Sequence, residues 1–330
     1  MPDDPLATLS REQLAQLGRE YMLAAQCNSR IGYAALAMNH GPQAYRDVAI
    51  DNWMAASPVY TRRMQRAMNL RGDSDVATIL KGLQLECGFS HQYFDTRFKM
   101  VGPEEGEFWL PSCGALLEAE PRGEDAVRVM CHDIEDPTFD ATAVATNPRA
   151  QVRPIHRPPR ASTDQTPHCH WRVSINHDAL PVVERDITHT MAARKLANLD
   201  VERGVNSEPG GWDDYGGALV EHMHLEYFSH SALVVICKEL AIQFHLLVAS
   251  LGLAIAQRYG EEAVRPIAEF QMAGSGWATS ARLARWLGLQ GGGLDAIVEV
   301  LQVHPALQPR EYCSVAVVPG ASGAMRVLLK

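Results

Sequence analysis

Two distant stretches of this chain share an order of residues, and this internal repeat constrains the fold more than any other feature of the sequence. The first starts at residue 40 with HGPQAYRDVAIDNWM, and the second starts at residue 259 with YGEEAVRPIAEFQMA. The spacing between matching positions varies by a single residue, as expected if residues were inserted in loops between helices. The pattern predicts a duplication, and chance similarity between two helix-rich segments is the alternative. The matching positions lie 218 to 220 residues apart: Gly41 and Gly260, Met54 and Met272, Leu70 and Leu289, Gly72 and Gly291, and Asp75 and Asp295.

Each copy is flanked by the same kinds of predicted element. A long apolar-periodic helix precedes it, over roughly 10–39 and 218–258, and a hairpin pattern follows it. The hairpin strands are YFDTRFKMV and GEFWL in the first copy, and YCSVAVV and AMRVLL, joined through PGASG, in the second. The predicted unit is a long helix, three short helices and two strands.

The region between the two copies differs from both of them in composition. It is rich in Pro, His, Asp and Arg, and its stretch NPRAQVRPIHRPPRASTDQTP contains too many prolines for a helix. We therefore predict an α+β fold in three parts: a first helical and hairpin unit over 1–111, a Cys/His-rich central α+β region over 112–217, and a second helical and hairpin unit over 218–330.

Composition and charge limit the classes of partner. The chain has 330 residues, 46% of them hydrophobic, and a formal net charge of −9. An acidic chain is a poor match for nucleic acid or an anionic membrane, since both require a positive field. The N-terminal residues MPDDPLATLSREQ lack the pattern of a targeting signal, so we expect a cytoplasmic protein with a small-molecule substrate. A homodimer is compatible with the sequence.

The most apolar segment, over 231–260, is interrupted by polar residues. Lys238, Glu239, Gln243 and His245 lie within it, whereas a membrane span needs about 20 predominantly apolar residues. We interpret the segment as a buried helix of a soluble protein.

The seven cysteines are expected to be reduced thiols, because an odd number without an export signal argues against a disulfide framework. The central region contains three of them, Cys113, Cys131 and Cys169. Thiolates and imidazoles are preferred ligands of zinc and of several transition metals. We therefore predict a site for zinc or iron, with Asp133, Asp136 and Asp140 as additional oxygen donors and with the following candidate ligands: Cys113, Cys131, His168, Cys169, His170 and His224.

The stretch TPHCHW shows the difficulty of this prediction. On a strand, His168 and His170 share one face and Cys169 lies on the other, so the three serve one metal only if the backbone bends there. The structural alternative is a partly buried thiol between two solvent-facing histidines.

A second chemical interpretation is a catalytic thiol. Cys131 is followed by His132, and Cys169 lies between two histidines, so a neighbouring imidazolium would lower the pKa of either thiol. The acids of the DIED stretch, starting with Asp133, would orient the imidazole as the third group of a hydrolytic triad does. The candidate catalytic residues are therefore Cys131, His132, Asp133 and Cys169.

The stretch EHMHLEYFSH is predicted to form the first turns of the second long helix. Glu221 and His224 then have the Glu-x-x-His spacing of helical di-iron proteins, although no second such pair occurs in the other long helix. The alternatives are a solvated, His-rich helix end, or a side chain such as His224 that reaches the central site as ligand or general base.

Three helices followed by a two-stranded wing also describe a winged-helix DNA-binding domain. YTRRMQRAMNLRG supplies four arginines, but the second copy has only Arg282 and Arg285 in that stretch and the whole chain is acidic. A role in nucleic-acid binding is therefore disfavoured.

The order of the cysteine-bearing stretches resembles that of the L-2-amino-thiazoline-4-carboxylate hydrolase-like family, over roughly 40–175. The resemblance rests on Cys113 after a strand, Cys131 followed by Asp133, an Arg/Pro-rich strand, and Cys169 followed by a polar and an aromatic residue. Family members have Pro where this chain has Gly114 and an acidic residue where it has His170. The resemblance implies a cytoplasmic bacterial enzyme that hydrolyses a small heterocyclic or sulfur-containing amino-acid derivative.

These observations predict a hydrolase with a Cys/His site in the central region. A metal held there would acidify a bound water, which would then act as the nucleophile. No glycine-rich dinucleotide or phosphate-loop fingerprint is present, so no nucleotide cofactor is indicated. The alternative is a metal-binding or ligand-binding sensor without catalysis, with winged-helix-like units.

Overall fold

A computed structural model describes residues 4–313, 315–319 and 325–329. The chain begins with two long helices and a short one, α1 (Arg11–His40), α2 (Pro42–Ala67) and α3 (Asp75–Gln84), followed by the hairpin β1 (Phe94–Gly102) and β2 (Glu105–Cys113). A serine capping box starts α1, and Gly41, with a φ of 87°, ends it. Two helices, rather than the three short ones predicted, separate the long helix from the hairpin, because α2 runs without interruption through Pro58.

The central region is a mixture of short helices and strands. In chain order these are α4 (Gly114–Ala119), α5 (Glu124–Arg128), a π-helical segment (Val129–Ile134), α6 (Glu135–Val144), β3 (Ala150–His156), β4 (Cys169–Ile175) and α7 (Asp186–Ala192). The strands β3 and β4 extend the first hairpin into a four-stranded antiparallel sheet with the order β1-β2-β4-β3.

The last third of the chain repeats the element order of the first third. It contains α8 (His230–Tyr259), α9 (Val264–Trp286), α10 (Leu294–Val303) and the strands β5 (Val315–Pro319) and β6 (Met325–Leu329), which pair antiparallel. Gly260, with a φ of 90°, ends α8 as Gly41 ends α1. The fold class is therefore α+β, as predicted, and the duplication itself stays a prediction. The PGASG connection lies largely outside the described residues.

One part of the predicted second unit is wrong. The helix starts at His230, where the Ser229 side chain accepts a hydrogen bond from the Ala232 N–H, and not near residue 218. The preceding residues form a loop because Trp212 exchanges backbone hydrogen bonds with Tyr227 and Ser229. Glu221 and His224 therefore do not form a helical Glu-x-x-His pair.

The helices of the first third of the chain pack against the helices of the last third. Helix α1 packs against α8 and α9, and α8 packs against α1 and α2, so the second helix of each half contacts the first helix of the other. Helix α8 is long and apolar enough to cross a membrane, but 83% of its most apolar window is buried inside the protein. It is a core helix, as predicted. One core cluster combines residues of all three predicted segments, such as Leu36, Ile134 and Phe244.

The two faces of the sheet differ because side chains alternate along each strand. Phe98, Phe108 and Trp171 lie at paired positions on the inner face and are buried under α3 and α6. On the outer face, the paired residues Lys99, Glu107 and Arg172 form a row of ion pairs centred on Glu107. The inner face therefore supplies one wall of the interior, and the outer face is charged.

Candidate functional site

A cavity of about 520 Å³ lies among α1, α2, α6, the π-helical segment and the inner end of the sheet. Helices α1 and α2 contribute one wall, and the central region contributes the other. Most of the lining is aromatic or aliphatic, with a few polar groups, which is the usual composition of a small-molecule site. The aromatic lining residues are Tyr33, Tyr45, Trp53, Tyr60, Phe89, Phe94 and Phe139.

Three glutamates line this cavity, and Glu118 is exposed and paired with Arg30, which leaves Glu86 and Glu135 as the two of interest. Glu86 precedes the turn Cys87–Phe89 and is only 4% exposed, and its recorded hydrogen bond is a long one, 3.4 Å from the Thr61 hydroxyl. Burial raises the pKa of Glu86 to about 8, and the Thr61 hydrogen bond only partly opposes this. At neutral pH this carboxyl is therefore mostly protonated.

Glu135, the first residue of α6, is the second glutamate. Its side chain is partly accessible and lines the cavity. Burial raises the pKa of Glu135 to about 8, and the nearby Asp136 raises it further, while Arg157 and Arg30 oppose the shift. Within the described part of the chain, no hydrogen bond or ion pair engages its carboxyl group.

The three thiols of the central region are grouped around Glu135. Cys113 ends β2, Cys131 lies in the π-helical segment, and Cys169 starts β4 and lines the cavity. All three are buried, and burial is the main reason that their pKa values are raised, to about 12 for Cys113. For each thiol the Glu135 carboxylate is the next largest cause. The tertiary structure thus gathers these thiols beside one buried carboxyl.

The thiols nevertheless do not form a metal site in this arrangement. Among the described residues, no group of three or more His, Cys, Asp or Glu side chains is placed to hold a metal ion. The Cys113 sulfur instead accepts a hydrogen bond from the Leu116 N–H, 3.4 Å away, at the start of α4. The donor set therefore does not fit zinc or iron as it stands, and we derive no reaction step through a metal.

The histidines next to the thiols in sequence are engaged elsewhere. The His132 ring donates a hydrogen bond to the Pro158 carbonyl, 2.6 Å away, and Asp133 is exposed, 3.5 Å from Arg46. The sequential group of Cys131, His132 and Asp133 is therefore not arranged as a thiol, base and orienting acid. The reason is the direction of the backbone in the π-helical segment, which buries Cys131 and turns its neighbours outward.

The predicted alternation at TPHCHW is observed for Cys169 and His170 but not for His168, which lies before the strand and is buried. Cys169 faces the interior, whereas the His170 Nε2 lies 2.9 Å from Glu107 on the outer face of the sheet. His168, just before the strand, is buried, and its Nδ1 accepts a hydrogen bond from the Cys113 N–H at 3.0 Å. The two imidazoles therefore have separate structural contacts, and neither shares a site with the Cys169 thiol.

His224 lies in the loop before α8, away from the residues that line the cavity. Its ring contacts those of His222 and Tyr227, with centroids 4.3 Å and 5.4 Å apart. The loop is attached to the sheet through the Phe98 N–H, which donates to the Glu221 carbonyl. The expectation that a helix would bring His224 to the central site is therefore wrong, because that helix begins six residues later.

Sequence reasoning missed the residues that define the cavity. Glu86 interrupts the largely apolar stretch LQLECGF, and an acid among apolar residues was the available signal for it, whereas Glu135 lies among other polar residues in CHDIEDP and had no such signal. The aromatic wall had no such signal, because its members come from five separate elements. Comparisons with protein-family models, with curated proteins and with solved structures give no match.

Proposed function

We propose that the protein is an enzyme that hydrolyses a small organic molecule bound in the cavity, with Glu135 as the acid–base residue. The observation that carries this proposal is the position of the Glu135 carboxyl, which faces the cavity beside three thiols and has no partner among the described residues. Cavity-facing titratable groups with perturbed pKa values are concentrated at functional sites.

The proposed reaction follows from the two protonation states of Glu135. The ionised form takes a proton from a water molecule, whose oxygen attacks an electrophilic carbon of the substrate. The bond between that carbon and its nitrogen or sulfur substituent then breaks, and Glu135 returns the proton to the leaving atom. A carboxyl with a pKa near 8 suits this role, since it is mostly protonated yet ionises readily at neutral pH.

Cys169 is the candidate nucleophile in a covalent variant of the same proposal. Its thiol lines the cavity and Glu135 is its nearest effective charge, so Glu135 would accept the thiol proton before sulfur attacks the carbon. With an amide or thioester substrate, the bond from the carbonyl carbon to its nitrogen or sulfur substituent then breaks, and the leaving atom takes the proton from Glu135. Water, with Glu135 again as base, hydrolyses the resulting Cys169 thioester to the acid and restores the thiol.

The test uses turnover of small cyclic amidines, amides and thioesters, including L-2-amino-thiazoline-4-carboxylate, the substrate class that the family resemblance implies. We expect Glu135→Gln to lower kcat about 10²- to 10⁴-fold and Glu269→Gln, at an exposed position on α9, to leave kcat unchanged. Cys169→Ser separates the two variants of the mechanism, because only the covalent one requires the thiol. Wild-type turnover by Glu135→Gln would refute the proposal.

A binding protein without catalysis is the second candidate. It is favoured by the raised pKa values of all three thiols, which keep them neutral and unreactive at physiological pH. Saturable binding of a probe with no product formation, detected by mass spectrometry, would support it. Metal content per chain, compared between the wild type and Cys131→Ser, tests the zinc or iron prediction in the same preparation.

A further inference from the structure

We propose that the ligand of this cavity carries a protonated nitrogen, which Glu86 and Glu135 bind within the aromatic wall. This inference rests on the proposed function only in taking the cavity as the site. It adds a chemical class of ligand, an organic cation of roughly the size of an aromatic amine.

The first support is that neither carboxyl forms an ion pair with any residue in the described part of the chain. In the described structure, Glu86 has only the distant Thr61 hydroxyl, and Glu135 has no hydrogen-bonding partner. A buried carboxyl without a partner is costly, and the cost is recovered when an opposite charge binds next to it. Two such groups lining one cavity therefore favour a cation and disfavour a phosphate or other anion.

The second support is that the arginines bordering the cavity have other contacts. Arg30 donates to Glu118 at 2.6 Å, and its guanidinium lies over the Tyr93 ring, 4.8 Å from the centroid. Arg122 donates to the Glu118 backbone carbonyl at 3.1 Å. The Arg30 charge is thus paired with the Glu118 carboxylate at the end of the cavity formed by α4, and neither arginine makes a hydrogen bond or ion pair with Glu86 or Glu135 among the described residues.

The third support is the wall itself. The ring faces of tyrosine, tryptophan and phenylalanine attract a cation through their quadrupoles, most strongly where water is excluded. Tyr45 packs against Tyr33 with centroids 5.7 Å apart, and Phe139 stacks on Phe89 at 5.8 Å, so these rings are held in place by each other. The Ser57 hydroxyl is buried and has no hydrogen-bonding partner among the residues that the structure describes, so it adds an acceptor for an N–H group.

The test compares tryptamine with tryptophol, which has the same indole and ethyl chain but a hydroxyl in place of the ammonium. Binding to the full chain is measured by isothermal titration calorimetry at pH 7. We expect tryptamine to bind at least about tenfold more tightly than tryptophol. Glu135→Gln and Glu86→Gln should each reduce that ratio, and the double variant should remove it. Glu269→Gln, at an exposed carboxyl, should leave it unchanged.

Equal affinity for the two probes, no measurable tryptamine binding, or a ratio that survives the double variant would each overturn the inference. Thermal unfolding of every variant checks that a reduced affinity ratio does not result from unfolding. We expect the variants to fold, because glutamine has the shape of a protonated glutamate. The proposed function is tested separately, by turnover. If the protein hydrolyses an uncharged substrate and this activity depends on Glu135, the hydrolase proposal is retained and the cationic ligand is rejected.

Discussion

The first and last thirds of the chain have the same order of elements but very different surroundings. Helices α1, α2 and α3 and the first hairpin are covered by the central region, which completes a four-stranded sheet and encloses the cavity. Helix α9, the counterpart of α2, packs on α1 through Ile267, Gln271 and Leu283, yet Phe270 and Trp277 remain exposed. Similar elements thus provide a scaffold in both thirds, and the central region forms a cavity with only the first of them.

Two tryptophans provide the largest expected contrast. Trp171 is fully buried between Phe108 and Phe139, whereas Trp277 is 77% exposed. Trp171→Ala should lower the free energy of unfolding by about 3–5 kcal/mol, because it leaves a cavity in the core. Trp277→Ala should change it by less than about 0.5 kcal/mol. Urea denaturation measures both, and a loss above about 1 kcal/mol for Trp277→Ala would show that α9 is covered in solution.

Thiol reactivity gives the next contrast. Cys113, Cys131 and Cys169 are buried with raised pKa values, whereas Cys27 and Cys313 are only partly buried. In native protein at pH 7, the three buried thiols should react with Ellman's reagent at least about a hundredfold more slowly than free cysteine. Cys27 and Cys313 should react first, and all seven should react in denaturant. If the reaction with Ellman's reagent has a fast phase that disappears in Cys169→Ser, the Cys169 thiol is not kept neutral by burial. That result would favour Cys169 as a nucleophile.

The two cavity glutamates should leave a signature in the pH dependence of stability. Their pKa values rise from 4.5 in the unfolded chain to about 8 in the folded protein, so their contribution is largest below pH 4.5 and falls as the pH rises toward 8. Each should reduce the free energy of unfolding by up to about 1.4 kcal/mol per pH unit over that range. Above pH 8 their effect should be constant.

Glutamine variants isolate this effect. Buried histidines with lowered pKa values act in the opposite direction below about pH 6.5, namely His91, His245 and His304. Stability is therefore compared between wild type, Glu86→Gln and Glu135→Gln at pH 5, 7 and 9. Each variant should gain stability relative to wild type between pH 5 and 7, and a constant difference would show that the carboxyl is not buried.

The smallest expected effect distinguishes the two faces of α9. A Cβ added at Gly276 meets no atom within 4 Å, whereas one at Gly274 would lie 3.0 Å from Ile31 of α1. Gly276→Ala should stabilise the protein by up to about 1 kcal/mol, because alanine is the better helix former. Gly274→Ala should gain less or lose stability. Thermal unfolding measures both changes in stability. If Gly276→Ala destabilises the protein, a partner must cover the face of α9 that carries Gly276.

Local pattern was sufficient for much of the fold. Apolar periodicity predicted α1 within a residue at each end, and alternation predicted the first hairpin and the opposite directions of Cys169 and His170. Composition correctly indicated that α8 is a core helix. The predicted start of α8 was wrong. Backbone hydrogen bonds from Trp212 to Tyr227 and Ser229 hold the preceding residues in a loop, and no local pattern indicates such bonds.

The sequence by itself determined the α+β class, the first long helix with its hairpin, and which residues are thiols, since these depend on residue type and on contacts within a few residues. Only the tertiary structure decided that Cys113, Cys131 and Cys169 meet beside Glu135, and that His132 and His170 turn to Pro158 and Glu107. The physical reason is that burial and charge proximity, which set the chemistry of a site, come from packing between distant segments. No local period of the chain encodes which segments will pack together.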